Sequence, residues 1–170
     1  MGDLVDAVEL MEKGEGRDLD FVVVLAGPGG EYEKELKAII ERRGLGHRFR
    51  FPGVYPHEQM PSLMRACDIF CLPSWREGWP LTAVEALTCG RPVVGTEVGG
   101  IAELIDSPKI GILCPAGNPQ ALAGALIQAL TREWDANWIA QSAERYSYKK
   151  LIRDIESIYG KVLEGKKQEF

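Results

Sequence analysis

The sequence predicts an α/β domain, a doubly wound parallel sheet with helices on both faces. Short β-branched runs alternate with helical patterns along the whole chain. The runs lack polar alternation, as in strands buried on both faces. One of them leads straight into Gly27-Pro28-Gly29-Gly30, the tight strand-to-helix turn at which a Rossmann-like fold places its phosphate loop. The 170 residues suffice for one such domain with a proper core and leave no room for a second lobe.

Taken in order, Leu4, Val5, Val8 and Met11 share one helical face, so a helix precedes the first visible strand. An α/β domain usually begins with a strand, and the expectation is that one strand and its loop lie upstream of Met1. Phe21–Ala26 reads as a strand, followed by a helix with the stripe Tyr32, Leu36, Ile39 and Ile40. Phe49–Gly53 is the next strand, then a helix carrying Met60, Leu63, Met64 and Cys67, then the strand Ile69–Leu72. Pro92–Gly95 and Gly111–Cys114 complete the strands. Asn118-Pro119 is an N-cap with proline at the first helical position, and Leu122, Ala125, Leu126 and Ala129 form the stripe behind it. A last long helix puts Leu151, Ile152, Ile155, Ile158, Tyr159 and Val162 on one face. Residues 1–165 are expected to form a single domain and residues 166–170 a polar tail.

Net charge is −5 and the pI about 5.2; the basic pair Lys166-Lys167 sits beside Glu164 and Glu169. This balance argues against nucleic acid as a partner. No apolar run approaches the roughly 20 residues of a membrane span, and Met1-Gly2-Asp3 lacks a basic signal region. Asp6 stands where a myristoylation signal wants Ser or Thr. The expected location is cytoplasmic, with any membrane association made through a lobe outside this sequence. Cys67, Cys71, Cys89 and Cys114 have no C-x-x-C spacing, and only His47 and His57 could add nitrogen ligands, so buried thiols are expected and no metal site.

The glycine loop matches G-x-G-x-x-G incompletely, since Tyr32 occupies the third glycine position. No acid ends the next strand to hold an adenosine ribose, which disfavours NAD. A tight turn and a direct nucleotide contact through Gly27 and Gly29 both fit. Asp18-Leu19-Asp20 spells D-x-D but precedes a strand, at the wrong end of the sheet for a ligand, and reads as surface carboxylates.

The informative stretch runs from Leu72-Pro73-Ser74 through Glu77-Gly78-Trp79-Pro80-Leu81-Thr82 and Glu85-Ala86-Leu87 to Cys89-Gly90-Arg91-Pro92-Val93-Val94. It spells strand, loop, short helix, glycine stop, strand. The helix starts either with Pro80 at its first position or with Thr82 as N-cap and Glu85 closing a capping box. Either start puts free N–H groups and the positive end of a helix dipole at the strand's carboxyl edge, a site for phosphate. Trp79, Leu81 and Thr82 are the candidate amide donors. Glu77 and Glu85 would repel phosphate, yet as carboxylates they accept strong hydrogen bonds from sugar hydroxyls. Spacing alone leaves open the alternative of a solvated loop acid and a cap.

From Phe51 to Leu130 the chain resembles the retaining glycosyltransferases of the large family 4 group. The shared motifs are Phe-x-Gly, Ala66-Cys67-Asp68, Leu-Pro-Ser, Glu-Gly, Glu-Ala-Leu, Cys-Gly-x-Pro-Val-Val, Gly99-Gly100 and Glu103, in one order. The resemblance implies one half of a two-lobed GT-B fold, with Glu77 and Glu85 as the two acids of an E-x7-E signature. It implies that Glu77 orients the donor sugar, that Glu85 holds the ribose, and that Gly78 to Thr82 supply amides to the diphosphate or sugar. Val54 would lie along the base, and Gly27–Gly30 falls on the group's first glycine loop. Gly99-Gly100 would shape the neighbouring turn. The implied donor is a UDP- or GDP-sugar, with no cofactor or metal, and the acceptor would dock on an N-terminal lobe.

Gly78-Trp79-Pro80 departs from the commoner Gly-Phe-Gly. The arginine and lysine that such enzymes place on the diphosphate have no counterpart here, so the chain alone is expected to bind weakly and not to turn over. Two rivals stand beside this reading: a two-lobed nucleotide-sugar 2-epimerase, and a noncatalytic interaction module.

Overall fold

The structure is a computed structural model, and it describes residues 2–166. Five strands alternate with eight α-helices: α1 Gly2–Lys13, β1 Val23–Ala26, α2 Glu31–Arg42, β2 Phe49–Gly53, α3 Met60–Ala66, β3 Phe70–Leu72, α4 Leu81–Thr88, β4 Val93–Thr96, α5 Gly99–Leu104, β5 Gly111–Cys114, α6 Pro119–Thr131, α7 Ala136–Ala143 and α8 Tyr148–Lys166. Short 3-10 turns occupy Gly46–Arg48, His57–Gln59 and Glu144–Tyr146. β1 and the third and fourth strands differ from the sequence expectation by one or two residues at an end. The rest of the tail expected over 166–170, beyond Lys166, lies outside the described residues.

All pairings are parallel, but the strands form two half-sheets, β1-β2 and β3-β4-β5. The two halves point the same way. Asp3 at the start of α1 accepts the indole N–H of Trp75, just past β3, at 2.8 Å. Glu12 near the other end of α1 pairs with Arg48, immediately before β2. The carboxyl end of β3 and the amino end of β2 thus lie at opposite ends of one helix, roughly 18 Å long.

Side chains alternate across the strands into two cores. Cys71, Val94, Ile112 and Cys114 pack with α1, α2 and α6; Phe70, Leu72, Val93 and Leu113 pack with α3, α4, α5 and α7. This period-two alternation puts helices on both faces and explains why β3, β4 and β5 read as unbroken apolar runs, whereas β2 exposes Arg50 and Pro52. β4 is buried at every position. α1 buries Leu4, Val5, Ala7, Val8 and Met11, all on the face the sequence indicates.

Asn118 caps α6 through its side-chain oxygen, which accepts the Ala121 N–H at 3.0 Å, with Pro119 as the first helical residue. The stripe expected on the last helix exists, but it is exposed. Leu151, Ile152, Ile155, Ile158, Tyr159 and Val162 all face out from α8. No helix among the described residues is long and apolar enough to cross a membrane.

Candidate functional site

Because every strand is parallel and the halves are co-directional, all strand-to-helix loops after β1, β2 and β3 open at one edge. The candidate site lies on that edge. Its centre is the loop from Pro73 to Pro80 and the first turn of α4.

α4 begins at Leu81 with Pro80 as its cap residue (φ −84°, ψ 82°) and no side-chain cap bond. Neither sequence alternative is therefore met. Pro80 is one position too early for the first helical turn, and Thr82 lies inside the helix, so it cannot cap it. Proline's restricted φ sets the entry angle in place of a side-chain cap. The N–H of Leu81 bonds Trp79 O at 3.1 Å, and the N–H groups of Ala83 and Val84 bond Pro80 O at 3.0 and 3.1 Å. Leu81 is thereby a poorer anion donor than the sequence suggested. Thr82 is the first-turn amide outside this set.

Glu77 is half-buried in the loop and Glu85 is exposed on α4. Among the described residues neither carboxylate has a side-chain hydrogen bond or an ion pair, and the capping-box role weighed for Glu85 is not used. Thr82 and Glu85 are three apart on the helix and share a face. Trp79 stacks edge-on against Tyr146, with ring centroids 5.3 Å apart, which ties the loop to the turn after α7.

The loop is held from below. Gly100 donates its N–H to Gly78 O at 3.0 Å. A Cβ on Gly99 would overlap Glu77 O, and one on Gly100 would overlap Gly78 O; Gly99 also has φ +45°, in the left-handed region. The backbone of Glu77 and Gly78 thus rests directly on the Gly99-Gly100 backbone at the start of α5. Thr96, the one buried polar side chain among the described residues, donates its hydroxyl to Ser74 O at 2.5 Å and ties the end of β4 to the same loop.

Across the edge, Gly27 donates its N–H to Gly53 O at 2.9 Å, which joins the glycine loop to the end of β2 and to exposed Val54. Gly29 is exposed and faces Glu33 of α2, not α4. The structure therefore gathers Glu77, Gly78, Trp79, Leu81, Thr82 and Glu85 around one helix start. It puts Gly27, Gly29 and Val54 on the far half-sheet, with Gly29 in the loop between β1 and α2. Asp18 and Asp20 are exposed ahead of β1, as surface carboxylates.

Sequence reasoning missed Thr96 and Arg76. A threonine closing an apolar strand looks like ordinary β-propensity, though a lone buried hydroxyl is a signal in principle. Arg76 stands at the mouth of the cleft between the half-sheets, exposed and without an ion pair among the described residues. A single arginine in a loop carries no motif. Among the described residues no cluster of His, Cys, Asp or Glu could hold a metal ion.

The profile of the family described as Glycosyl transferases group 1 matches residues 3–150. The chain is 33% identical over 145 residues to a D-inositol 3-phosphate glycosyltransferase of Corynebacterium urealyticum, across 81% of this chain and 34% of that protein. It is 27% identical to HepE of Anabaena, solved in complex with UDP, with a TM-score of 0.75 over 97% of this chain and 45% of that one. The C-terminal domain of LpcC, a glycosyl transferase group 1 family protein from Francisella tularensis, superposes with a TM-score of 0.65 at 25% identity, over 84% of this chain and 72% of that domain's chain. The chain spans about a third of the length of the curated relatives it matches.

Proposed function

The chain belongs to the glycosyl transferases group 1 family, and from that premise we propose that it is the donor-binding half of a retaining GT-B hexosyltransferase. A UDP- or GDP-sugar lies along the carboxyl edge of the strands. Glu85 accepts hydrogen bonds from the ribose hydroxyls, Glu77 accepts them from the sugar, and the Thr82 amide with the α4 dipole faces the diphosphate. Val54 and Gly27 border the base. The acceptor sits on a partner N-terminal lobe, and the reaction needs no metal.

One observation carries this reading: two carboxylates without side-chain partners among the described residues flank a helix N-terminus whose loop is fixed from beneath by Gly99, Gly100 and Thr96. A positioned site of this kind works by holding the donor and stabilising the departing diphosphate, so Glu77 is assigned to orientation and not to proton transfer. The UDP complex of HepE supports a nucleotide in this fold.

A ¹⁵N-labelled chain titrated with UDP and, separately, with GDP tests the assignment. Shifts at Glu77 to Glu85 at millimolar ligand, lost in Glu85→Ala with the far-UV spectrum unchanged, support it. Shifts confined elsewhere, or a Glu85→Ala chain that binds normally, overturn it. Each missing charge-assisted phosphate contact weakens binding by about 1.5–3 kcal/mol, roughly ten- to a hundredfold, which sets the millimolar range.

A further inference from the structure

The loop that carries Glu77 is tied down at Ser74 and Gly78, and its next side chain is anchored from a distant part of the chain. Trp79 is 42% exposed, and its ring meets that of Tyr146 at 64° between planes. Tyr146 ends the 3-10 turn between α7 and α8 and packs against the core shared by α3, α4, α5 and α7. The turn is itself fixed, because the N–H of Ser147 bonds Glu144 O at 3.0 Å. Arg145 lays its guanidinium 4.8 Å from the centre of the Tyr146 ring and donates to both carboxylate oxygens of Asp106. Asp106, Arg145, Tyr146 and Trp79 thus make one continuous chain of contacts from the loop after α5 to the edge of the candidate site.

We infer that Tyr146 is a positioning residue of the donor site, setting the course of the loop from Glu77 to Pro80 by holding Trp79. Two features of the loop give it that task. A Cβ on Gly78 would have nothing within 4 Å, so no packing at Gly78 steers the chain between Glu77 and α4. Pro80 has no N–H, and α4 starts without a side-chain cap, so the helix entry supplies no side-chain anchor either. Trp79 is the bulky side chain between these two points. An edge-on aromatic pair has a preferred geometry, whereas an aliphatic partner would let the indole slide. The guanidinium over the Tyr146 ring adds a cation–π contact, and Asp106 orients that guanidinium with two charge-assisted bonds.

Two consequences follow, one for the loop and one for the ligand. Loss of the aromatic partner loosens the hydrogen bonds that end on the loop, those from Leu81 to Trp79 O and from Gly100 to Gly78 O. It also scatters Glu77 relative to the start of α4, which weakens nucleotide binding without removing any group that touches nucleotide. The second consequence rests on the donor-site reading above and the first does not, so separate readouts distinguish them.

The test compares Tyr146→Leu, which removes the ring, with Tyr146→Phe, which keeps it, and combines Tyr146→Leu with Trp79→Leu, all well below their melting temperatures. In Tyr146→Leu the Leu81 and Gly100 amides are expected to exchange about three- to tenfold faster, beyond any change at Val93–Thr96. The UDP concentration that half-saturates the shifts at residues 77–85 should rise by a similar factor. Tyr146→Phe should restore both readouts, and the double variant should be no worse than Trp79→Leu alone. Unchanged exchange or unchanged UDP affinity in Tyr146→Leu, equal losses in Tyr146→Phe, or additive losses in the double variant overturn the inference. A wild-type chain that ignores UDP sinks the donor-site reading instead, and the exchange result then decides Tyr146's hold on the loop by itself.

Discussion

Glu77 is positioned by residues that carry no chemistry. Because its carbonyl lies against Gly99, adding one methyl there forces the loop to move. Gly99→Ala also demands a left-handed alanine, a strain of about 1–3 kcal/mol. The expected result is a folded but less stable chain, by denaturant midpoint, whose Glu77 to Glu85 amides no longer respond to nucleotide. A wild-type response in Gly99→Ala would show that the loop does not need this support. Thr96→Val tests the second tether. It leaves Ser74 O without its buried donor, at a cost of about 1–3 kcal/mol with little change in side-chain volume. The sequence marked Gly99 and Gly100 only as turn residues, because a close backbone approach has no periodicity to read. Glu77 and Glu85 stood out as a pair only through the family resemblance, since their spacing alone also fitted a solvated loop acid and a helix cap. Which amides remained free was not legible, since that depends on Pro80 standing one place outside α4.

At the scale of elements, the apolar period located every strand and most helices, and failed where burial does not follow pattern. α5 is six residues and α7 eight, too short for a stripe to stand out, so both went unread. α7 nevertheless buries Ile139 completely against α4. α8 shows the converse, a clear stripe that is exposed among the described residues. Ile139→Ala is expected to cost about 2–5 kcal/mol, whereas Ile155→Glu on α8 should fall within about 0.5 kcal/mol of wild type in this chain. Thermal melts of the two variants decide it, and a large loss from Ile155→Glu would mean that α8 docks on this domain. Asp106 and Arg145 link the loop after α5 to the turn after α7 through two hydrogen bonds of 2.7 and 3.0 Å. Those bonds hold the Asp106 carboxyl below its ordinary range. The link's contribution is present above that range and fades as pH falls through the lowered value. Asp106→Asn should therefore lower stability slightly at neutral pH and flatten part of the acid limb by the same small amount, since the pair is solvent-exposed.

The molecule as a whole is a sheet in two unequal parts. β3, β4 and β5 belong to both cores, and their central strand is fully buried. β1 and β2 make a two-stranded unit, which alone is marginal in water. It is held by α2, by the first core and by the ion pairs of α1: Arg43 with Asp6 and Glu9, and Arg48 with Glu12. Those pairs are partly exposed and weaken with salt, so they add little beyond the apolar contacts. Opening β1, β2 and α2 exposes only the first core, while opening β4 dismantles both. Native-state hydrogen exchange at rising denaturant should separate the chain accordingly. Amides of Val23–Ala26 and Phe49–Gly53 are expected to exchange together at a lower opening free energy than those of Val93–Thr96, and added salt should lower the first group further. A single isotherm shared by all three strands would mean that α1 couples the halves into one cooperative unit across the cleft between them.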